Sequence, residues 1–134
     1  LGAVARTHSA DVERALATYF GTGSLDDVDQ ISREELRQRV ESGDAVVIDV
    51  RPADDYEAGH IPGARSVPFG ELLQRLDELD DGVEVVAYCR GAHCVLAHDA
   101  VRVLAAEGRK AVRLQDGMLE WRAAGLPVTV GTSR

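Results

Sequence analysis

Short apolar runs divide the chain into units of strand length. The clearest lie at residues 45–50, 83–88 and 111–114, and a shorter one lies near residues 65–67. The first three are almost continuously hydrophobic, which is typical of parallel strands that are buried on both faces. We therefore predict strands over these residues.

Helical patterns alternate with these runs. Ser32-Arg33-Glu34-Glu35 is a capping-box sequence, and it predicts a helix that runs to about Ser42 and stops at Gly43. An acidic helical turn is predicted over residues 54–58 and a helix over about residues 69–79. The last two predicted helices cover residues 95–107 and 117–124. The inner face of the helix from Val95 is predicted to carry Leu96, Ala97, Ala100, Val101 and Leu104.

The alternation of strands and helices predicts the α/β class, with a mostly parallel sheet covered by helices on both faces. In such sheets, binding and catalytic sites lie at the carboxyl ends of the strands. Asp49, Arg51 and Cys89 all fall at predicted strand ends. We expect these three residues to share one edge of the sheet.

The first residues differ in pattern from the rest. Residues 9–20 predict a short helix, and the glycine-rich and acidic residues 21–29 predict a linker. We therefore expect an N-terminal helix and linker over residues 1–28, one main domain over residues 29–130 and a tail over residues 131–134. The chain begins at Leu1 instead of methionine, so we interpret it as a fragment of a longer protein.

Composition excludes several classes of function. The 134 residues are 45% hydrophobic and 28% charged, which is ordinary for one globular domain, and no apolar run reaches the roughly 20 residues of a membrane span. A net charge of −8 argues against a nucleic-acid-binding surface on this chain. The two cysteines, five positions apart, predict reactive or redox thiols and a cytoplasmic location.

The most informative stretch is residues 85–97, where a predicted strand gives way to a loop led by a cysteine and then to a helix. Cys89 follows the strand, Gly91 permits a tight reversal, and Val95 begins the helical pattern. Backbone N–H groups at the start of a helix favour anions, and they favour thiolate over thiol for the same reason. Cys89 is thus the candidate nucleophile.

Three segments together resemble the rhodanese family. They are Asp49-Val50-Arg51 with the following Glu57-Ala58-Gly59-His60-Ile61-Pro62-Gly63-Ala64, the loop from Cys89, and the closing pattern from Gly117 through Trp121 and Gly125 to Val128. The resemblance covers roughly residues 28–128. It implies a three-layer fold around a sheet of about five strands.

The resemblance also implies a sulfurtransferase that uses no cofactor and no bound metal. A donor such as thiosulfate, a persulfide or a polysulfide transfers sulfur to Cys89, and the resulting persulfide passes it to a thiophilic acceptor, a small molecule or a protein. Asp49 and Arg51 have two interpretations: they contact the substrate, or they form an ion pair that holds the loops in place. The second interpretation is at least as well supported as the first. The predicted substrate-binding loop comprises Arg90, Gly91, Ala92, His93, Cys94 and Val95.

Cys94 departs from the pattern of many single-domain rhodaneses, in which an arginine stands at this position and a serine or threonine follows. The loss of a guanidinium removes a bidentate clamp for an anion, which favours a persulfide or polysulfide donor over thiosulfate. Three interpretations of Cys94 stay open: a buried inert residue, a thiol that resolves an oxidised or persulfidated Cys89, and a ligand that joins Cys89 in holding As(III).

Around this loop, the sequence also looks like the rhodanese domain carried behind a DNA-binding regulator of the arsenic-repressor (ArsR) type. An alternative function is therefore a thiol-based sensory module for As(III) or reactive sulfur, attached to or partnered with such a regulator. A zinc site of Cys89, His93, Cys94 and His98 fits none of the usual ligand spacings, and His98 is predicted to be exposed. We expect no contact with nucleic acid or membrane by this chain. His60 and Trp121 are predicted to be structural.

Overall fold

A computed structural model describes residues 28–80, 82–92 and 94–131. The predicted helix at residues 9–20, most of the linker that follows it, and residues 132–134 of the predicted tail lie outside the described residues. His93 also lies outside them. The domain boundaries therefore stay predictions.

The described residues form a sheet of five strands in the order β1-β5-β4-β2-β3. Each pair of neighbouring strands is parallel, as the apolar runs predict. Strand β1 at the edge was not predicted, because it has two residues and Gln30 is exposed, so it leaves no apolar run. The bounds are Gln30–Ile31 for β1, Ala45–Asp49 for β2, Arg65–Ser66 for β3, Glu84–Tyr88 for β4 and Ala111–Leu114 for β5.

Four α-helices surround the sheet in the described part of the chain. They are Arg33–Glu41 (α1), Ala53–Ala58 (α2), Val95–Ala106 (α3) and Met118–Ala123 (α4). The predicted capping box of α1 is present: the Ser32 hydroxyl accepts from the Glu35 N–H at 3.2 Å, and the Glu35 carboxylate accepts from the Ser32 N–H at 3.1 Å. None of these helices has the length and apolar character needed to cross a membrane.

The prediction of a helix over residues 69–79 is wrong. The segment contains two separate 3-10 turns, Phe69–Glu71 and Leu76–Glu78. Arginine side chains take up its carbonyl groups instead: Arg109 donates to Leu76 O and Leu79 O at 2.9 and 2.8 Å. These carbonyls would also lack partners within a helix that ends at Leu79. Within the segment, short-range bonds close the two turns: the Leu72 N–H donates to Phe69 O at 3.2 Å, and the Leu79 N–H donates to Leu76 O at 3.0 Å.

The sheet separates two hydrophobic clusters. Residues of β4 alternate between them: Val85 and Ala87 face helix α3, whereas Val86 and Tyr88 belong to the cluster that includes α1, α2 and α4. Cys89 continues the alternation on the α3 side. The α/β class with helices on both faces is confirmed.

Helix α3 buries more of its surface than its apolar pattern predicts. Ala97, Ala100, Val101 and Leu104 are buried as predicted, and Leu96 is half-buried. The prediction that His98 is exposed is wrong, since its exposed fraction is 0%. His98 and its neighbour Asp99 lie on a side of α3 that the domain also covers. Because His98 and Asp99 are polar, the apolar pattern does not predict that this side of α3 is also buried.

Candidate active site at Cys89

Cys89 immediately follows the central strand β4, at the carboxyl end of the sheet. Strand β4 lies between β2 and β5. The chain continues from β4 to β5 on one side and from β2 to β3 on the other, so the connections after β4 and β2 run in opposite directions. In open parallel sheets, such a position is where ligands bind. Cys89 is only 1% exposed and belongs to the core cluster on the α3 side. Cys89 thus lies at the edge of the sheet where ligands bind, and it is buried.

Cys89 forms a disulfide with Cys94, and their Cα atoms are 6.2 Å apart. Cys94 is the N-cap residue of α3 and is half-buried. Its side chain makes no capping hydrogen bond. The loop closes on itself because the Cys94 N–H donates to Gly91 O at 3.1 Å. The residue that occupies the place of the missing arginine is therefore bonded to the candidate nucleophile.

Helix α4 holds the loop from outside. The Met118 N–H donates to Cys89 O at 3.0 Å, and the Leu119 N–H donates to Arg90 O at 2.7 Å. The Glu120 carboxylate accepts from the Ala92 N–H at 3.1 Å and from the Gly117 N–H at 2.8 Å. Sequence reasoning missed Glu120 as a loop residue. The signal was a glutamate three residues after the helix N-cap, which also caps its own helix.

The loop and the start of α4 approach at backbone distance. A Cβ atom at Gly117 would overlap the backbone of Arg90 and Gly91. Gly117 is therefore required for space and not for an unusual backbone angle, since its φ is −107°. This contact allows the start of α4 to pack directly against the loop backbone.

A buried arginine reaches the loop from β5. Arg113 is 7% exposed, donates to Ala92 O at 3.2 Å, and also donates to the Gln30 side chain. Burial, and next the positive charges of Arg113 and Arg102, lower the pKa of His98 to about 4. His98 is thus neutral at pH 7, and Arg113 is a cation beside the loop. In the sequence, Arg113 is the charged residue of an otherwise apolar strand, and this is the signal that could have marked it as a candidate site residue.

Arg90 points away from the core. Its guanidinium forms an ion pair with Asp55 of α2 at 2.8 Å, and its side chain is 66% exposed. The sequence predicts Arg90 as part of the substrate-binding loop. The structure places a carboxylate against its positive charge and thereby ties the loop to α2.

Asp49 and Arg51 form a buried clamp at the end of β2. The Asp49 carboxylate accepts from Nε and Nη2 of Arg51 at 3.0 and 2.6 Å, and Arg51 Nη2 also donates to Gly59 O at 2.7 Å. Burial lowers the pKa of Arg51, but the hydrogen bonds and charge of Asp49 outweigh it and hold this pKa above its usual value. Tyr88 completes the clamp, since its hydroxyl donates to Asp49 and accepts from the Ile61 N–H at 3.1 Å.

The geometry supports structural roles for His60 and Trp121. His60 is fully buried, stacks on Tyr56 with ring centroids 3.7 Å apart, and places Nδ1 2.8 Å from Tyr56 O. The Trp121 indole donates to Pro127 O at 2.7 Å. Over residues 28–80, 82–92 and 94–131, no three histidine, cysteine or acidic side chains are grouped to hold a metal ion.

A parallel sheet with a cysteine-led loop after its central strand is the arrangement that the resemblance to rhodaneses predicts. A comparison with protein families leads to the same family. The model of the rhodanese-like domain matches residues 32–124. The chain belongs to this family.

Individual relatives extend the comparison. The chain is 52% identical over 128 residues to the HTH-type transcriptional regulator Rv0324 of Mycobacterium tuberculosis, which aligns 96% of this chain with 55% of the regulator. It is 31% identical over 96 residues to the putative sulfur carrier protein YrkF of Bacillus subtilis, with 70% of this chain and 51% of that protein covered. The chain thus spans about half the length of these curated relatives.

A solved structure supports the fold. The thiosulfate sulfurtransferase of Pseudomonas aeruginosa superposes with a TM-score of 0.67 at 28% sequence identity. The match covers 80% of this chain and 21% of that chain. The rhodanese-like architecture predicted from the sequence is confirmed.

Proposed function

We propose that this chain is a sulfurtransferase in which Cys89 carries the transferred sulfur as a persulfide. The observation that carries the proposal is the position of Cys89, at the carboxyl end of the central strand of a rhodanese-like domain. Cys89 also begins a loop that contacts from α4, β5 and α2 hold in place. Relatives named sulfurtransferase, sulfur carrier and thiosulfate sulfurtransferase support it.

In the first step, the reduced Cys89 thiolate attacks the sulfane sulfur of the donor. A bond forms between Cys89 Sγ and that sulfur, and the bond to the rest of the donor breaks, so thiosulfate would leave as sulfite. In the second step, a thiophilic acceptor attacks the outer sulfur and the Cys89 thiolate leaves. The Cys89–Cys94 disulfide must be reduced before either step, because a bonded sulfur is not the nucleophile.

The buried cation beside the loop supports stabilisation of the negative sulfur. Arg113 is buried and donates to Ala92 O, so the loop lies next to a cation that solvent screens only weakly. No arginine occupies position 94, where a donor oxyanion would be clamped. We therefore propose a persulfide or polysulfide as the preferred donor, with thiosulfate the poorer one.

Mass spectrometry of reduced protein after incubation with thiosulfate or with inorganic polysulfide tests the proposal. The test uses the Cys94→Ser variant, in which no second thiol competes for the added sulfur. We expect the added mass of one sulfur atom on Cys89 of this variant, and thiocyanate on addition of cyanide, whereas Cys89→Ser should abolish both signals. Full activity of Cys89→Ser, or no added sulfur from either donor, contradicts the proposal.

The second candidate is a sensory module that uses Cys89 and Cys94 as a ligand or redox pair. It is favoured by the disulfide and by the 52% identity to a transcriptional regulator. In this proposal, the chain is cytoplasmic and linked to a DNA-binding domain of the ArsR type. Stoichiometric binding of arsenite to the reduced chain with negligible sulfur turnover supports it, and rapid turnover without arsenite binding contradicts it.

A further inference from the structure

We propose that Cys94 is a second reactive thiol of this site, which attacks the Cys89 persulfide and releases the outer sulfur as hydrosulfide. This inference rests on the persulfide proposed above. It assigns the site an internal route for sulfur that needs no external acceptor for the release step. The structure contains the oxidised product of that step, the Cys89–Cys94 disulfide.

The position of Cys94 fits direct attack. The Cα separation of 6.2 Å lies within the range of ordinary disulfides, so the two sulfurs can bond without displacement of β4 or α3. As N-cap of α3, Cys94 stands where the helix dipole favours a thiolate, and its sulfur makes no capping hydrogen bond. The attacking group is thus activated and directed toward Cys89.

Contacts other than the disulfide hold the loop in this shape. Glu120 accepts from the Ala92 N–H, Arg113 donates to Ala92 O, and the Cys94 N–H donates to Gly91 O. These hydrogen bonds do not involve either sulfur. The two thiols are therefore expected to stay neighbours after reduction, and again when Cys89 carries the additional sulfur.

The chemical step balances within the chain. The Cys94 thiolate attacks Cys89 Sγ, the bond between Cys89 Sγ and the outer sulfur breaks, and that sulfur leaves with the electron pair as hydrosulfide. The sulfane sulfur is reduced by two electrons while the two cysteines are oxidised to the disulfide. A dithiol reductant then restores both thiols, so each full turnover consumes one donor sulfur and one dithiol.

Proximity favours this internal route. Cys94 already lies within bonding distance of Cys89, whereas an external acceptor must first bind beside the loop. Well-oriented intramolecular groups can reach effective concentrations of about 10⁵–10⁸ M. Resolution by Cys94 should therefore precede transfer to a dilute small thiol.

The test compares the wild type with Cys94→Ser and Cys94→Ala after reduction, desalting and a single loading with thiosulfate or, separately, inorganic polysulfide, without added thiol. Cys89→Ser provides the blank. Released hydrosulfide is measured over the blank, and mass spectrometry assigns the state of both cysteines. We expect the wild type to release one hydrosulfide per chain and form the disulfide, whereas both variants hold the persulfide and release hydrosulfide at least about tenfold more slowly.

Persistent persulfide on the wild type with Cys94 still a thiol overturns the inference, and so does equally fast release from the two variants. In either case, the added sulfur on Cys89 leaves the proposed sulfurtransferase function standing. If neither the wild type nor the variants gain sulfur from either donor, both proposals are overturned. Serine is itself a favourable N-cap residue, and two variants with different side chains guard against a folding defect in one.

Discussion

The hydroxyl of Tyr88 donates a hydrogen bond of 2.7 Å to Oδ2 of Asp49, and so joins the ends of strands β4 and β2 within the core. Burial, and next the Asp49 carboxylate, raise the pKa of this phenol far above its usual value, so Tyr88 stays protonated and remains a donor. One residue further on, Cys89 faces the opposite side of the sheet.

Tyr88→Phe should lower the free energy of unfolding by about 1.5–3 kcal/mol, because it removes a buried hydrogen bond to a charged acceptor. It also leaves the Ile61 N–H without the phenol oxygen. Tyr56→Phe is the matched control: its hydroxyl donates to the neutral Ala64 O at 2.7 Å, and we expect a loss of about 0.5–1.5 kcal/mol. Urea unfolding measures both, and equal losses would contradict the importance of the charge.

Asp49→Asn should destabilise the domain by about 3–5 kcal/mol, because it leaves the buried Arg51 guanidinium without a countercharge. Asp55→Asn provides the comparison, since Arg90 of this pair is exposed and Asp55 is only half-buried. We expect a change of about 0–1 kcal/mol for that variant. Denaturant midpoints at constant salt check the difference, and similar losses for the two variants would show that Asp49 is not a buried clamp.

Gly117→Ala should disturb the loop that carries Cys89. The added methyl group would overlap the backbone of Gly91, and relief requires α4 and the loop to separate at a cost of about 1–3 kcal/mol. In a Cys94→Ser background, we expect the rate of iodoacetamide alkylation at Cys89 to change as well.

Gly70→Ala is the control, because nothing lies within 4 Å of a Cβ atom there. Its stability should remain within about 0.5 kcal/mol of the parent, and its alkylation rate should be unchanged. A Gly117→Ala protein with parental stability and alkylation rate would contradict the close approach of α4 and the loop.

The buried His98 should make the domain less stable in mild acid. Burial, followed by the charges of Arg113 and Arg102, depresses its pKa to about 4 from an ordinary value of 6.5. The unfolded chain therefore binds a proton that the folded chain refuses, and stability falls as pH decreases from 6.5 to about 4. The loss attributable to this residue is at most about 3 kcal/mol.

Unfolding free energies of the wild type and His98→Gln across this pH window isolate the effect. Burial raises the carboxyl pKa of Asp99, which gives the opposite slope, but Asp99 is present in both proteins. The stability of the wild type relative to His98→Gln should decrease between pH 6.5 and 4. A difference that does not vary with pH would mean that His98 is not held neutral.

The parts of the fold that local pattern specifies were predictable. The Ser32 capping box predicts the start of α1, and the apolar runs predict β2, β4 and β5 to within a residue or two. The position of Cys89 after the central strand follows from the same runs. These features depend on neighbours in sequence and on burial on both faces of the sheet.

Features that depend on distant partners were not predictable from one sequence. Arg109 takes up carbonyls of the segment predicted as a helix, and it comes from more than twenty-five residues away in sequence. Arg113 and Glu120 reach the loop from β5 and α4. Local spacing indicates that Glu120 caps its own helix, but not that it also contacts the loop. The sequence identified both cysteines, but the bond between them required their positions in space.

The attachment of the Cys89 loop to α4 bears on the order in which the protein is made. Met118, Leu119 and Glu120 hold Cys89, Arg90 and Ala92 in place, and they follow them by almost thirty residues. A ribosome therefore releases Cys89, the proposed nucleophile, well before it releases the helix that positions it. During synthesis, the Cys89 thiol exists before α4 is in place, so the proposed chemistry at Cys89 requires nearly the whole domain.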